Sequence, residues 1–484
     1  MKLKKLVRGL ALAGLVVPGM ALATNGMNME AYGPVAAGMG GASYAYDNGS
    51  SALMNNPATL GLMPEGSRAD VAFGILGPDV NAKVNGAPDV KSSGDAYYMP
   101  GLGYIKKQGA LAYGFGVYAQ GGMGTDYSGD SFMGNPGRQA VSPQLTNRSE
   151  VGVGRLILPL SYDVNPNLTV AGSLDFVWAG MDLKMAMSGN QFGDMVAGLG
   201  GSQKFGSASG SLVSGLSQAI MGGAFARNNP INWAYFDFSN NSQFTGAATS
   251  TGFAGKLGLV YKVNPQLTLG ATYHSKTSLG DMDADSAKLS MSANVSAQNP
   301  WGMPAGTYTM PITGKISVRN FQWPETYGFG GAFKVNDQLM LAADYKRIGW
   351  AKVMRDFKMT FTADNSAGNM ALGFAGTSLD ATLYQNWKDQ DVFMLGASYK
   401  ANNELTLRAG VNLANNPIPD TYVNALFPAI VKSHYMLGAG YAFNKASSAD
   451  FAYSYAPRVS VAAGSTVESQ HAQQNWQFMY SYRF

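Results

Sequence analysis

The residues of this chain best suited to chemistry are cations and histidines. Arg155, Lys256, Lys346, Arg355 and Arg408 could each hold an anionic group through charge-assisted hydrogen bonds. Nucleophilic catalysis asks for more: a nucleophile beside a base that is itself oriented. The chain has 0 cysteines, which removes thiolate catalysis, disulfides and cysteine metal sites together. The bases on offer are His274, His434 and His471, and none stands in a pattern with a nucleophile. No glycine-rich phosphate loop and no His/Glu metal spacing occurs. The sequence therefore argues against an enzyme, and neither a metal nor a cofactor is expected. Its 26 methionines suit a pliable pocket that tolerates varied apolar shapes.

Those side chains need a scaffold, and the C-terminal residues indicate which. Trp476, Phe478, Tyr480, Tyr482 and Phe484 alternate with Gln477, Met479, Ser481 and Arg483. A strict period of two separates two faces, and an aromatic face suits hydrocarbon and its interface better than a globular core. The pattern reads as the last strand of a bacterial outer-membrane β-barrel. The N-terminus agrees. Lys2, Lys4, Lys5 and Arg8 precede the apolar run Leu10 to Val17 and the small-residue site Ala21-Leu22-Ala23, so residues 1–23 read as a cleaved signal peptide. The mature chain is expected to begin at Thr24. The apolar run is far shorter than the roughly 20 residues of a spanning helix. The leader cations account for the net charge of +4, and a neutral mature chain gives no reason to expect a nucleic-acid partner.

Recurring turn motifs order the interior of the chain. Tyr162-Asp163-Val164-Asn165-Pro166-Asn167-Leu168, Tyr261-Lys262-Val263-Asn264-Pro265-Gln266-Leu267, Phe333-Lys334-Val335-Asn336-Asp337-Gln338-Leu339 and Tyr399-Lys400-Ala401-Asn402-Asn403-Glu404-Leu405 each place Asn, Asp or Pro between strand-like flanks. Looser versions begin at Tyr104 and Tyr441. Strands are expected near 67–80, 91–107, 110–121, 149–164, 167–186, 247–263, 267–292, 309–335, 338–363, 389–401, 404–414, 431–444, 447–460 and 472–484. This predicts an all-β, fourteen-stranded antiparallel transmembrane barrel over 67–484, with the even strand number such barrels have. Long external loops fall near 122–148, 187–246, 293–308, 364–388, 415–430 and 461–471, with a shorter one near 81–90. Alternation predicts Leu405, Leu407, Ala409, Val411 and Leu413, Phe393, Leu395, Tyr435 and Leu437 on the lipid face. Arg155, Asp175, Lys256, His274, Lys276, Asp344, Lys346, Arg408 and His434 are predicted to face the lumen.

Residues 24–66 precede the first strand and are too rich in Met, Tyr and Leu for a solvated tail. They are expected to fill the lumen as a hatch. Within them Tyr32-Gly33-Pro34-Val35-Ala36-Ala37-Gly38-Met39-Gly40-Gly41-Ala42, Asp47-Asn48 and Asn55-Asn56-Pro57-Ala58-Thr59-Leu60 resemble the hatch of the FadL family of outer-membrane transporters for long-chain fatty acids and aromatic hydrocarbons. Leu407-Arg408-Ala409-Gly410-Val411, Pro417-Ile418-Pro419-Asp420 and Leu437-Gly438-Ala439-Gly440-Tyr441-Ala442-Phe443-Asn444 are similar to late strands of the same family.

The resemblance implies passive uptake of a hydrophobic ligand across the outer membrane of a Gram-negative bacterium. Its steps are capture by external loops, a lumen pocket beside a hatch whose motif is Asn56, Pro57 and Ala58, and sideways exit through a kinked third strand. Gly114 and Gly116 lie in that strand, where glycine permits a bend. Loops 122–148 and 187–246 are the largest candidates for capture; in the second, Phe192, Leu212, Leu216, Ile220 and Phe225 suit an exposed groove on short amphipathic helices. The cations listed first would meet a fatty-acid headgroup; an aromatic hydrocarbon would need none. Implied partners are the ligand, outer-membrane lipid and lipopolysaccharide, and the barrel assembly machinery and periplasmic chaperones during biogenesis, with the chain a monomer. The alternative is a general diffusion porin or structural barrel, which would have no apolar leader segment.

Overall fold

The repeated turns owe their shape to one side chain. In the turn at Asn165, its Oδ1 accepts from the backbone N–H groups of Asn167 and Leu168, both at 2.9 Å. Asn264, Asn336, Asn402 and Asn444 do the same for the two residues placed equivalently. Such side-chain mimicry of a backbone turn fixes the hairpin register at one end of each strand pair.

The computed structural model describes residues 25–242, 245–462 and 467–484; the expected leader and Thr24 lie outside them. The strands are β1 (Gly66–Val84), β2 (Tyr97–Gln108), β3 (Leu111–Tyr127), β4 (Asn147–Asn165) and β5 (Leu168–Ser188). The next are β6 (Gly206–Ser209), β7 (Ile231–Phe238) and β8 (Ala248–Lys262). Four interrupted strands follow: β9 (Leu267–His274, Ser278–Leu279 and Met282–Val295), β10 (Gly306–Arg319 and Thr326–Lys334), β11 (Leu339–Ile348 and Asp356–Ala363) and β12 (Ser378–Tyr384 and Gln390–Lys400). The last are β13 (Leu405–Ala414), β14 (His434–Ala442), β15 (Ser447–Ala462) and β16 (Val467–Arg483). Antiparallel ladders run from β1 through β2–β5 and β8–β16 and return to β1, where Arg68 pairs with Arg483 and Val84 with Val467. Among the described residues the closed ladder leaves unpaired edges only locally, along the upper halves of β1 and β3 and on the short β6.

The expected count of fourteen needs correction: sixteen strands make up the wall. The additional strands, β6 and β7, come from the long loop 187–246. β7 slots between the outer halves of β5 and β9, and β6 adds to the outer half of β12. Their sequences, Gly206-Ser-Ala-Ser209 and Ile231-Asn-Trp-Ala-Tyr-Phe-Asp-Phe238, carry no turn motif of the repeated kind, so turn counting passed over them.

The interruptions in β9–β12 fall at one level of the barrel, and Trp323, Trp350 and Trp387 fill them. All three indoles are buried and meet edge to face, at 5.8 and 5.1 Å between ring centroids. Above this level the outward side chains change character, from Tyr327 and Phe329 to Lys315, Ser317 and Arg319. Lys315 is ion-paired with Asp285 at 2.9 Å and 71% exposed. Charges on the outer face place these upper halves beyond the hydrocarbon.

Below it the alternation places apolar side chains outward, with Phe393, Leu395, Tyr435, Leu437, Phe478 and Tyr480 all exposed. Arg155, Asp175, Lys256, Asp344, Lys346 and His434 are buried within the lumen. Lys276 departs from its expected inward position: it lies in the gap of β9 and is exposed, because the strand breaks just before it.

Residues 25–65 lie inside the barrel as a helix α1 (Pro34–Gly38) and two 3-10 turns, Gly49–Leu53 and Pro57–Leu62. Glycine lets this segment lie flat on the wall. Gly40 has a positive φ of +69°, and a Cβ on the facing Gly410 would fall 2.2 Å from the Gly40 nitrogen. Gly410→Val is therefore expected to displace the segment while leaving the wall closed. Faster proteolysis within residues 34–42, with heat-modifiable migration on gels unchanged, would show it. Leu437, 62% exposed, is expected to cost about 2–4 kcal/mol when replaced by Arg at mid-membrane, measured by folding titration into bilayers.

Candidate functional site

The hatch motif is a staple between plug and wall. Asn56 caps the turn Pro57–Leu62, its Oδ1 accepting from the Ala58 N–H at 3.1 Å. Its Nδ2 donates to the carbonyls of Tyr44, in the plug, and Leu259, on β8, at 2.8 and 3.1 Å. Pro57 opens the turn, where its missing N–H costs nothing. The side chains of Asn56, Pro57 and Ala58 are thus occupied in holding residues 25–65 in place.

Across the lumen the plug meets β3 at an irregularity. The β3–β4 register slips between Ala119 and Gly121, leaving Gln120 bulged. The Tyr32 hydroxyl donates to the Gln120 carbonyl at 2.6 Å, and the Gly122 N–H donates to the Met27 carbonyl at 3.0 Å. Arg155 Nε donates to Gln120 Oε1. Burial pushes the Tyr32 phenol well above its ordinary range, so it remains a donor. Gly121, at φ +153°, lies so close to the plug that a Cβ there would stand 2.3 Å from the Met27 carbonyl oxygen.

The ladder is open beside this bulge. β2 pairs with β1 only as far as Leu76–Tyr97, and with β3 only as far as Gly101–Tyr118. The upper halves of β1 and β3 therefore flank a window. Ser92 and Ser93 bridge its top, through Ser92 N–H to the Val80 carbonyl at 2.9 Å and Ser93 N–H to the Asp126 carbonyl at 2.8 Å. Pro78, which has no N–H to leave unpaired, lies on the β1 margin.

A cavity of about 630 Å³ occupies the space behind and through this window. Inside, it is lined by Met27, Val151, Val153 and Ala179, all buried; at its outer side it reaches Tyr98 and Trp178, which are 42% and 39% exposed on the lipid face. Glu30 and Glu150 are its charged lining residues. Glu30 accepts from Ser454 Oγ and Asn475 Nδ2 at 2.8 and 2.9 Å, and Glu150 accepts from Arg148.

None of the five cations expected to meet a headgroup lines this cavity. Arg155 and Lys256 both donate to Asp175, the first at 2.8 Å. Lys346 lies in the fields of Asp344 and Glu30. Arg408 is paired with Asp450 at 2.8 Å, against α1 at Gly38. Arg355 is exposed, in the break of β11. Gly114 and Gly116 pair with Ile105 and Gly103 of β2, while toward β4 the ladder skips Gly114 and Phe115 and resumes at Gly116 without a change of register. Gly116 makes room for Leu53 of the plug, and the bulge comes beyond it.

The loop side chains expected to form an exposed groove are instead packed away. Phe192, Leu212, Leu216 and Phe225 are at most 2% exposed, and Ile220 packs partly buried against the same core, because Phe225 packs at a tilt against Trp301 and the helix Ser211–Met221 covers the upper wall. The element that sequence reasoning missed is the segment 415–433. Residues 415–430 are expected as an external loop and 431–433 as the start of a strand; the segment instead folds inward, burying Ile418, Val423, Leu426 and Ile430. Its apolar composition after Pro417-Ile418-Pro419 was the available signal. Pro428 and Ala429 roof the cavity, and Phe427 and Asn424 line a narrower space above it.

The description of the family of outer membrane protein transport proteins (OMPP1/FadL/TodX) matches residues 15–482. The chain belongs to that family. In this OMPP1/FadL/TodX group, the toluene transporter TodX of Pseudomonas putida superposes with a TM-score of 0.78 at 30% identity, covering 94% of this chain and 99% of that one. The toluene transporter TbuX of Ralstonia pickettii gives 0.73 at 31%, over 94% and 99%. The long-chain fatty acid transport protein of Escherichia coli K12 is 24% identical over 42% of this chain and 41% of its own length. Outer membrane protein P1 of Haemophilus influenzae is 27% identical over 42% and 38%. The chain thus spans about two fifths of the curated relatives' length in these matches. Membership places the protein in the outer membrane, in a family of transport channels and not of enzymes.

Removing the Tyr32 donor should loosen the bulge. Tyr32→Phe is expected to cost about 1 kcal/mol and to speed amide hydrogen exchange over residues 118–124, with exchange in β13–β16 unchanged.

Proposed function

We propose that the protein is a passive channel that carries neutral hydrophobic compounds, monoaromatic hydrocarbons above all, across the lipopolysaccharide leaflet and releases them sideways through the window between β1 and β3. The observation that carries this reading is the cavity that runs from the buried face of the plug to Tyr98 and Trp178 on the lipid face. Moving apolar surface out of water yields about 25 cal/mol per Å², so a continuous apolar path from loops to bilayer needs no other source of energy. In this reading residues 25–65 close the periplasmic end, the bulge at Gln120 holds the window open, and the external loops present ligand to the lumen. Loop capture begins on side chains other than Phe192, Leu212, Leu216 and Phe225, which are already buried against one another.

A long-chain fatty acid is the second reading, favoured by the name of the Escherichia coli relative. The lining supports the neutral class instead. The cavity carries the carboxylates Glu30 and Glu150 and none of the five candidate cations, so a ligand carboxylate would lose its hydration without gaining a partner. The pore of a general porin would instead be wet, whereas the plug fills this one. The chain acts as a monomer, inserted by the barrel assembly machinery after chaperoned passage through the periplasm.

The absence of cysteine makes a direct test simple. Val80→Cys with Met123→Cys places one thiol on each margin of the window, both lining the cavity. In cells with intact lipopolysaccharide, bridging them with a reversible bifunctional thiol reagent should reduce toluene uptake at least tenfold, and reductant should restore it. Undiminished uptake in the bridged state would exclude lateral release. Wild-type uptake of toluene is expected to exceed that of laurate, and the reverse order would favour the fatty-acid reading.

A further inference from the structure

The inward segment 415–433 divides the lumen. Above it, Phe427 and Phe357 face each other with ring centroids 6.3 Å apart. The space around them narrows to about 20 Å³, against about 630 Å³ in the cavity below. Met27, Met123 and Val151 line both spaces, so the two adjoin, and the narrow one is termed the throat. Its other walls include Met181, Met185 and Met354.

The backbone that carries Phe427 is pinned to β3 and β4 on one side and to β16, the neighbour of β1, on the other. The Ala425 carbonyl accepts from Tyr127 Oη at 3.0 Å, and the Leu426 carbonyl from Thr125 Oγ1 at 3.2 Å and from Ser149 Oγ. These donors stand on β3 and β4. On β16, His471 Nδ1 donates to the Pro428 carbonyl at 2.7 Å. All four donor side chains are buried. Tight turns stiffen the segment further, with Leu426 N–H on Asn424 Oδ1 at 2.9 Å and Phe427 N–H on the Asn424 carbonyl at 3.0 Å.

A backbone held this way leaves the throat's width to its side chains. Unbranched methionines change rotamer at little cost and can yield around a ligand. Phe427 is a planar ring on a short arm that must swing as a unit. We propose that Phe427 is the size filter of this channel, admitting a single flat ring edge-on past Phe357 and retarding fused or branched hydrocarbons. The proposal rests on the reading of the protein as a hydrophobic channel.

The test compares toluene with phenanthrene uptake in cells that have intact lipopolysaccharide and no other such channel. Phe427→Ala should raise the phenanthrene-to-toluene rate ratio about tenfold, and Phe427→Trp should lower it. Phe427→Leu serves as a conservative variant, and heat-modifiable migration of each barrel confirms folding. His471→Ala, which frees one anchor, should shift the ratio in the same direction as Phe427→Ala. An unchanged ratio in folded Phe427→Ala and Phe427→Trp overturns the filter. Wild-type toluene uptake no faster than in cells lacking the protein overturns the channel reading itself, and the filter with it.

Discussion

Within hydrocarbon every backbone N–H and C=O must find a partner in the protein, and the rest of this structure depends on that demand. It forces the wall to close, β16 onto β1, and it makes an incomplete ladder between β1 and β3 the most consequential feature of the fold. The gap persists because its polar groups are satisfied from elsewhere. Met27 and Tyr32 of the plug take up the Gly122 N–H and the Gln120 carbonyl, and Ser92 and Ser93 bridge Val80 to Asp126. Plug and window are therefore one device. An opening of this kind in a barrel without an interior segment would leave the bulge unpaired.

The same constraint explains the treatment of charge. Buried ions are tolerated where they are paired, and the lumen arranges them so: Asp175 between Arg155 and Lys256, Arg408 on Asp450, Glu30 among Ser454 and Asn475. These groups join strand to strand and plug to wall. The cavity itself is lined by methionine, valine, glycine and aromatic side chains, with Glu30 and Glu150 as its charged residues. Removing a partner from one of these pairs would strand a charge in the lumen, which makes them determinants of assembly before they are determinants of transport.

Segments that sequence pattern places outside the barrel do much of the work within it. The loop 187–246 contributes β6 and β7 to the wall, and 415–433 descends to roof the cavity. The tryptophans at the breaks in β9–β12 fill the corner where the upper wall departs from the lower, and they also reach the plug: Trp323 Nε1 donates to Asn28 Oδ1 at 2.5 Å, and Gly26 packs on Trp350. The upper wall and the first described residues of the plug are thereby in direct contact.

Local physics made the barrel legible from sequence. Period-two alternation identified the lipid face at Leu395, Leu437 and Tyr480, because the membrane imposes the same requirement on every strand, and asparagine turns marked the hairpins because they act over only a few residues. The interior burial of residues 25–65 followed from their apolar content. Tertiary structure decided what depends on residues far apart in the chain. Strand number changed because β6 and β7 pair with distant strands, and Arg155, Lys256 and Arg408 are engaged by Asp175 and Asp450 from other strands. The bulge lies at Gln120, where Tyr32 and Arg155 hold that residue from other elements and Met27 holds Gly122 beyond it. The position of Phe427 was decided in the same way, by carbonyls that Tyr127, Thr125, Ser149 and His471 reach only once the wall has closed.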